Sequence, residues 1–209
     1  MKKIKNFLEY NCPFCYTMNK GGVTMGFFND KNKTIHTVYN FLESRCYENN
    51  REDLPKILEE YDKLAVEYIK RKKEGKGFNF FHFNIDLEQG PCVAKRLSGC
   101  GSGTEYLAVT PWGDFYPCHQ FVGNEEFLMG NVYDGITRTD IQDEFKMCNV
   151  YAKPKCRECF ARYYCSGGCA ANAYNFHGNI NDAYDIGCEM QRKRVECSIM
   201  IKAALADYE

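Results

Sequence analysis

The residues Cys156 to Cys169 read CRECFARYYCSGGC, four cysteines at spacing C-x2-C-x5-C-x3-C. Cys92, Cys100 and Cys118 lie upstream of them and Cys188 lies downstream. Thiols grouped this way can form disulfides, a zinc site, a redox pair or the seat of an iron–sulfur cluster. A structural zinc takes four ligands, commonly as two CxxC pairs roughly 15–20 residues apart, and the 156–169 group is too crowded for that pattern. A thioredoxin-like pair needs a βαβ setting and a free CxxC. The ferredoxin run C-x2-C-x2-C-x3-C-P fails because five residues follow the first pair. Eight candidate thiolates suit two four-ligand sites better than one. A cube takes one soft ligand per iron, so a CxxC turn serves two corners and distant cysteines serve the others. Gly167 and Gly168 let the backbone turn tightly beside a bulky group. Lys153, Lys155, Arg157 and Arg162 either offset the charge of such a site or form a solvated surface.

The compartment bears on the same choice. The chain has 209 residues, 13 of them cysteine, an odd count that complete disulfide pairing cannot use up. The basic start MKKIKNFLEYNCPF lacks a continuous apolar stretch of the signal-peptide kind, and no apolar run approaches the roughly 18 residues of a membrane span. The expectation is a cytoplasmic protein, where structural disulfides do not persist and metal ligation accounts for most of the thiols. Cys46, Cys148 and Cys197 read as buried small hydrophobes. Lys+Arg 27 against Asp+Glu 28 gives no bulk charge to attract nucleic acid.

The elements that must carry these residues are legible in part. Leu54, Ile57, Leu58, Tyr61, Leu64, Ala65, Tyr68 and Ile69 recur at helical spacing, with Asp53 as N-cap, Pro55 in the first turn and KRKKEG closing the helix. FNFFHFNIDL (78–87) reads as an aromatic strand. After Gly90 the character changes to short elements. EYLAVTPWGDFYPC predicts a hairpin delivering Cys118, and RTDIQDEFKMC a short helix. A last helix starts near Cys188, with Met190, Val195, Ile199, Met200 and Ala203 on its buried side. TIHTVYNFLES (34–44) reads as a further short helix. The fold class is α+β, divided into an unassigned segment 1–50, a helix-strand segment 51–90 and a cysteine-rich domain 91–209.

The order Cys100, twelve residues, Gly113, four residues, Cys118, then Cys156-x2-Cys159-x5-Cys165-x3-Cys169 and Cys188 resembles the seven-cysteine SPASM domain. That domain follows the barrel in many radical S-adenosylmethionine enzymes. FFHFNIDLEQGPC, GTEYLAVTPWGDFYPCHQFVGNE and CSGGCAANAYNF are further similar to the maturases that form thioether crosslinks in SCIFF peptides, which are small cysteine-rich ribosomal peptides. The resemblance implies two auxiliary 4Fe–4S clusters with interleaved ligands. Cys100, Cys118 and Cys169 would hold the first, completed by Cys92 or left open for a substrate thiolate. Cys156, Cys159, Cys165 and Cys188 would hold the second. His119 is a further candidate ligand, against its reading as a packed or hydrogen-bonded histidine. The implied partner is a cysteine-rich precursor peptide, and a separate radical S-adenosylmethionine barrel chain is a further candidate that the sequence leaves open.

The cleavage of S-adenosylmethionine belongs, in this family, to a third cluster on a CxxxCxxC loop. Here FLEYNCPFCY supplies Cys12 and Cys15, but Leu8 stands where the first cysteine is required, and no GGEP-like segment follows. The 50 or so residues before the matching region fall short of a partial barrel, since even a small complete one takes on the order of 200. The chain therefore resembles the C-terminal, cluster-bearing part of a maturase, with S-adenosylmethionine a cofactor of intact relatives only. Two other readings stand beside this one: a non-catalytic zinc or iron–sulfur binding or electron-transfer module, and a gene fragment without function.

Overall fold

The computed structural model describes residues 51–88 and 93–208. The expectations for the segment 1–50, including Cys12, Cys15, Cys46 and the helix at 34–44, and the role of Cys92, lie outside the described residues. The fold is α+β, with a small antiparallel sheet among helices. The described residues form two units, one of residues 93–188 and the other of residues 51–88 together with 189–208.

In the first unit, α1 runs Leu54–Lys73. Its buried stripe is Leu54, Ile57, Tyr61, Leu64, Ala65 and Tyr68, while Leu58 and Ile69 sit at its margins. Burying each large side chain of this stripe contributes about 1.5–3 kcal/mol. Asp53 holds the N-cap position without a capping side-chain bond, and its carbonyl accepts from the Ile57 amide at 3.0 Å. Lys70, Arg71, Lys72 and Lys73 place positive charge at the negative end of the helix dipole.

The aromatic segment after α1 is not a strand. Phe81–Phe83 form one 3-10 turn. Three residues complete a 3-10 turn, so Phe80 and Phe83 come to the same side, with ring centroids 4.9 Å apart. Both rings pack on Tyr61, and His82 is buried with them. The apolar signal was real, but a turn rather than a pleat satisfies it.

The second unit opens with α2, Val93–Ser98, and a meander of four short strands. These are β1 Ala108–Val109, β2 Asp114–Tyr116, β3 Gly130–Asn131 and β4 Gly135–Ile136. Val109 pairs with Phe115, Phe115 with Gly130 and Gly130 with Ile136. Gly130 has φ +143, and a Cβ there would meet the Gly135 carbonyl oxygen at 2.0 Å, so only glycine closes this hairpin. Then follow α3 Thr139–Met147, α4 Pro154–Arg157, α5 Arg162–Cys165 and α6 Ala170–His177. Phe121, Phe127, Phe145, Met129 and Ile141 form the main core, with Tyr174 packed against it.

The last helix, α7, spans Asp185–Leu205, and from Glu189 onward it belongs with the first unit. Its buried residues are Met190, Val195, Cys197, Ser198, Ile201 and Leu205. The expected face of Ile199, Met200 and Ala203 is exposed. The reason is that Cys197 and Ser198 turn inward. Ser198 Oγ donates to the Phe83 carbonyl at 3.3 Å, and Arg194 Nε donates to the His82 carbonyl at 2.6 Å. Cys197 and Ser198 thus take inner positions beside Met190, Val195, Ile201 and Leu205, and Ile199 and Met200 are left outside.

Burial, reinforced by the Arg194 charge, holds His82 far below its ordinary 6.5, at about 3. Its Nδ1 shares a 2.6 Å hydrogen bond with the Tyr61 hydroxyl. The unfolded chain therefore takes up a proton near pH 6.5 that the folded chain refuses until about pH 3, and stability falls as pH drops through that window. Replacing His82 with Phe should flatten this dependence, as measured by urea midpoints between pH 7 and 4. An equal slope in both proteins would contradict the assignment to His82.

Candidate metal centre

Short helices and turns bring the cysteines into two neighbourhoods. Cys100 follows α2. Gly99, just before it, approaches the 166–168 turn, where a Cβ would lie 3.2 Å from the Ser166 carbonyl. Three residues on, the Gly103 amide donates to the Pro117 carbonyl at 2.9 Å, tying the Cys100 loop to the end of the hairpin. Cys118 leaves β2 and stands at the N-cap of a 3-10 turn, His119–Phe121. Cys169 stands at the N-cap of α6.

Their charges reach one another. Burial pushes the Cys118 thiol up to about 11, with the Cys169 and Cys100 sulfurs adding to the effect. Burial also raises Cys169, and Cys100 contributes there too. The Tyr106 hydroxyl lies 3.7 Å from Cys100 Sγ, and Gln120 Nε2 donates to Cys169 Sγ at 3.5 Å.

Cys156, Cys159 and Cys165 form the other neighbourhood. Cys156 lies within α4, Cys159 just beyond it, and Cys165 closes α5. Burial raises the Cys165 thiol first, followed by the nearby Cys156 and Cys159. Burial likewise raises Cys156, with Cys159 adding to it. Cys188, in the first turn of α7, packs against the small core of Val150, Cys156 and Ala183.

Between Cys165 and Cys169 the backbone is left-handed for three residues, Ser166 (φ 59), Gly167 (φ 84) and Gly168 (φ 73). Nothing lies within 4 Å of a Cβ added at Gly168, so the backbone angle itself, not crowding, calls for glycine.

Three of the sulfurs share one local arrangement. The amides two and three residues onward face each sulfur and favour its thiolate: Gln120 and Phe121 at Cys118, Gly167 and Gly168 at Cys165, Ala171 and Asn172 at Cys169. At Cys118 and Cys169 this is the N-cap position, although neither sulfur makes a full capping bond. His119 is half-buried inside the turn that follows Cys118.

Cys148 and Cys197 are buried core thiols, Cys148 donating to the Ile180 carbonyl at 3.3 Å. A cleft of about 460 Å³ opens beside Cys100, lined also by Cys148, Lys153, Ser166 and Gly168. Among the described residues, no group of three or more His, Cys, Asp or Glu side chains converges on a single metal ion. A zinc with bonds of about 2.3 Å draws its sulfurs to about 4 Å from one another. A cube spaces its thiolates more widely, one per iron. The donors in both neighbourhoods are soft sulfurs with amides aimed at them, and this chemistry fits an iron–sulfur group.

Sequence reasoning missed Gln120, Tyr106 and the facing amides. Gln120, two residues after a candidate ligand at a turn, was the discoverable one. The four cations of 153–162 also separate. Lys153 is only 2% exposed, while Lys155 and Arg157 lie at the surface and Arg162 is half-buried.

The site and the fold together define a cysteine-rich α+β protein with two thiol neighbourhoods. No family model matches the chain. A protein of Archaeoglobus fulgidus, described as uncharacterized, is 30% identical over 111 residues. That match takes in 52% of this chain and 24% of the relative, so the chain spans about a quarter of the relative's length. Among the described residues no helix is long and apolar enough to cross a membrane.

A thiol at about 11 is ionised to roughly one part in a thousand at pH 8. In the metal-free protein, Cys118 should therefore be alkylated at least tenfold more slowly than the exposed Cys100. Peptide mapping of a timed iodoacetamide reaction checks this, and equal rates would contradict the burial of Cys118.

Proposed function

We propose that this chain is the cluster-bearing, SPASM-like portion of a cytoplasmic radical S-adenosylmethionine system that forms thioether crosslinks in a cysteine-rich peptide. The observation that carries the reading is the sorting of the cysteines. Cysteines only four residues apart, Cys165 and Cys169, fall into different neighbourhoods. Residues far apart, Cys100, Cys118 and Cys169, fall into the same one. This interleaving supports two sites of the kind the motif implies. Cys100, Cys118 and Cys169 hold one cluster, completed by Cys92 or by a thiolate of the peptide. Cys156, Cys159, Cys165 and Cys188 hold the other.

When bound, such clusters supply one-electron chemistry and, at an open iron, a seat for a thiolate. The protein's own contribution is to bury Cys118 and Cys156, half-bury Cys159, Cys165, Cys169 and Cys188, and set amides near several of these sulfurs. Tyr106 and Gln120 touch the Cys100 and Cys169 sulfurs and so orient the first site. Cleavage of S-adenosylmethionine falls to a complete CxxxCxxC loop, which Leu8 interrupts here, so this chain alone is expected not to cleave it efficiently.

Anaerobic purification with iron, sulfide and zinc analysis tests the proposal. Roughly eight irons per chain, with matching sulfide, is the expected result. Two zincs in a colourless protein would overturn it in favour of a zinc-binding module. Cys169→Ala and Cys159→Ala should damage different clusters, resolved by electron paramagnetic resonance. Loss of the same signal in both variants, with the other spared, would refute the interleaving.

A further inference from the structure

Lys153 is a buried cation that the reading above does not use. At 2% exposure it lies among the core residues, three positions before Cys156. Its Nζ donates to the Gly167 carbonyl at 3.1 Å, a bond that spans the C-x5-C-x3-C loop from outside it. The stem passes the same glycine, with Cδ 3.7 Å from where a Gly167 Cβ would stand. The neighbouring cations are disposed differently. Lys155 pairs with Asp185 at 2.9 Å and Asp182 at 3.4 Å. Arg157 Nε donates to the Tyr151 carbonyl at 2.5 Å.

Among the described residues no carboxylate lies within salt-bridge distance of Lys153. Glu105 and Asp143 line the cleft that Lys153 also lines, without pairing to it. Sulfur does lie within its reach: its charge acts on Cys148, the core thiol it also hydrogen-bonds, and on Cys156, three residues along the same helical turn. A buried cation is better accommodated when an anion lies beside it. A group bound by several thiolates is a net anion, and placed on Cys156 it would give this ammonium its counter-charge.

We infer that Lys153 is the internal counter-cation of the second cysteine set, holding its ammonium beside Cys156 so that the cluster on Cys156, Cys159, Cys165 and Cys188 is easier to reduce. This rests on the cluster reading above. The physical ground is that net charge and hydrogen bonding around a cluster set its reduction potential, and a fixed cation favours the more negative state. The Gly167 bond adds a second duty. It ties the cation to the turn that ends at Cys169, so its position is fixed before any cluster arrives. Lys153 is thus a positioning and charge-setting residue, not a ligand.

The test is a redox titration of the anaerobically reconstituted full chain, followed by electron paramagnetic resonance. Cys159→Ser identifies the second set's signal. Lys153→Gln keeps an N–H for the Gly167 carbonyl but removes the charge, and Lys153→Arg keeps the charge. With Lys153→Gln, the second set should become harder to reduce by about tenfold in equilibrium constant, about 59 mV for a one-electron couple. The first set should stay in place, and Lys153→Arg should titrate near the unaltered protein. Loss of iron from the second set in Lys153→Gln but not in Lys153→Arg would equally show that the charge is required. Full loading of Lys153→Gln with unchanged potentials would overturn the inference, as would loss of iron in both variants, which would assign the residue to shape alone. An unaltered chain that takes up neither iron nor sulfide would remove the cluster reading itself, an outcome separable from the other two by analysis of that protein alone.

Discussion

The left-handed run at Ser166, Gly167 and Gly168 is the constraint on which the cysteine arrangement depends. Cys165 and Cys169 stand four residues apart, and in a continuous helix such residues occupy the same face. Both thiols would then point into one site. Three successive residues at positive φ end α5 and allow α6 to start afresh in another direction. Glycine takes this conformation without a Cβ penalty, while Ser166 bears a cost of roughly 1–2 kcal/mol. The Lys153 bond to the Gly167 carbonyl and the approach of Gly99 to the Ser166 carbonyl brace the turn from two sides. The division of thiols is therefore a backbone property, maintained by residues that carry no sulfur.

The first unit is stabilised by other means. Its interior is a set of rings, with Tyr61, Tyr68, Phe80 and Phe83 meeting mostly edge-on or tilted. Several of the polar atoms this brings inside are answered locally. Tyr61 bonds His82, and the carbonyls of the 3-10 turn receive Arg194 and Ser198 from α7. A 3-10 turn leaves carbonyls that its own ladder does not use. Arg194 and Ser198 of α7 supply the donors, and Ser198 is buried with them among Met190, Val195, Ile201 and Leu205.

The elements whose periodicity was unbroken were legible in the sequence. The stripe of α1 gave its helix directly, and the Pro-Trp-Gly-Asp turn gave the hairpin between β1 and β2. The aromatic segment 78–87 was not legible as a turn, because four phenylalanines in six positions satisfy a pleat and a 3-10 turn equally on pattern. Ile199 and Met200 misled for a related reason. Hydrophobicity says what prefers burial, but hydrogen bonds made across the chain by Arg194 and Ser198 decided the rotation of α7. In the candidate centre, the positions of the cysteines along the chain were plain and their sorting was implied by resemblance. The supporting groups were not, since an amide two residues after a cysteine, or one buried lysine among four cations, carries no mark in composition.

The facing amides bear on what state these sulfurs are built for. An N–H aimed at a neutral thiol gains little, since sulfur in that form is a weak acceptor, whereas one aimed at a thiolate makes a charge-assisted bond of roughly twice the strength. Yet burial drives Cys118, Cys165 and Cys169 toward the neutral thiol in the metal-free chain. The two tendencies oppose each other at the same atoms. A soft metal group resolves the opposition, because ligation removes the proton and spreads the charge that desolvation penalises, while leaving it within reach of the amides. Oxidation to disulfides would resolve it differently, by discarding both proton and charge. The repeated placement of amides at the second and third residue after three separate cysteines is therefore a feature of the local backbone, in which the turn following each cysteine partly offsets the effect of its burial.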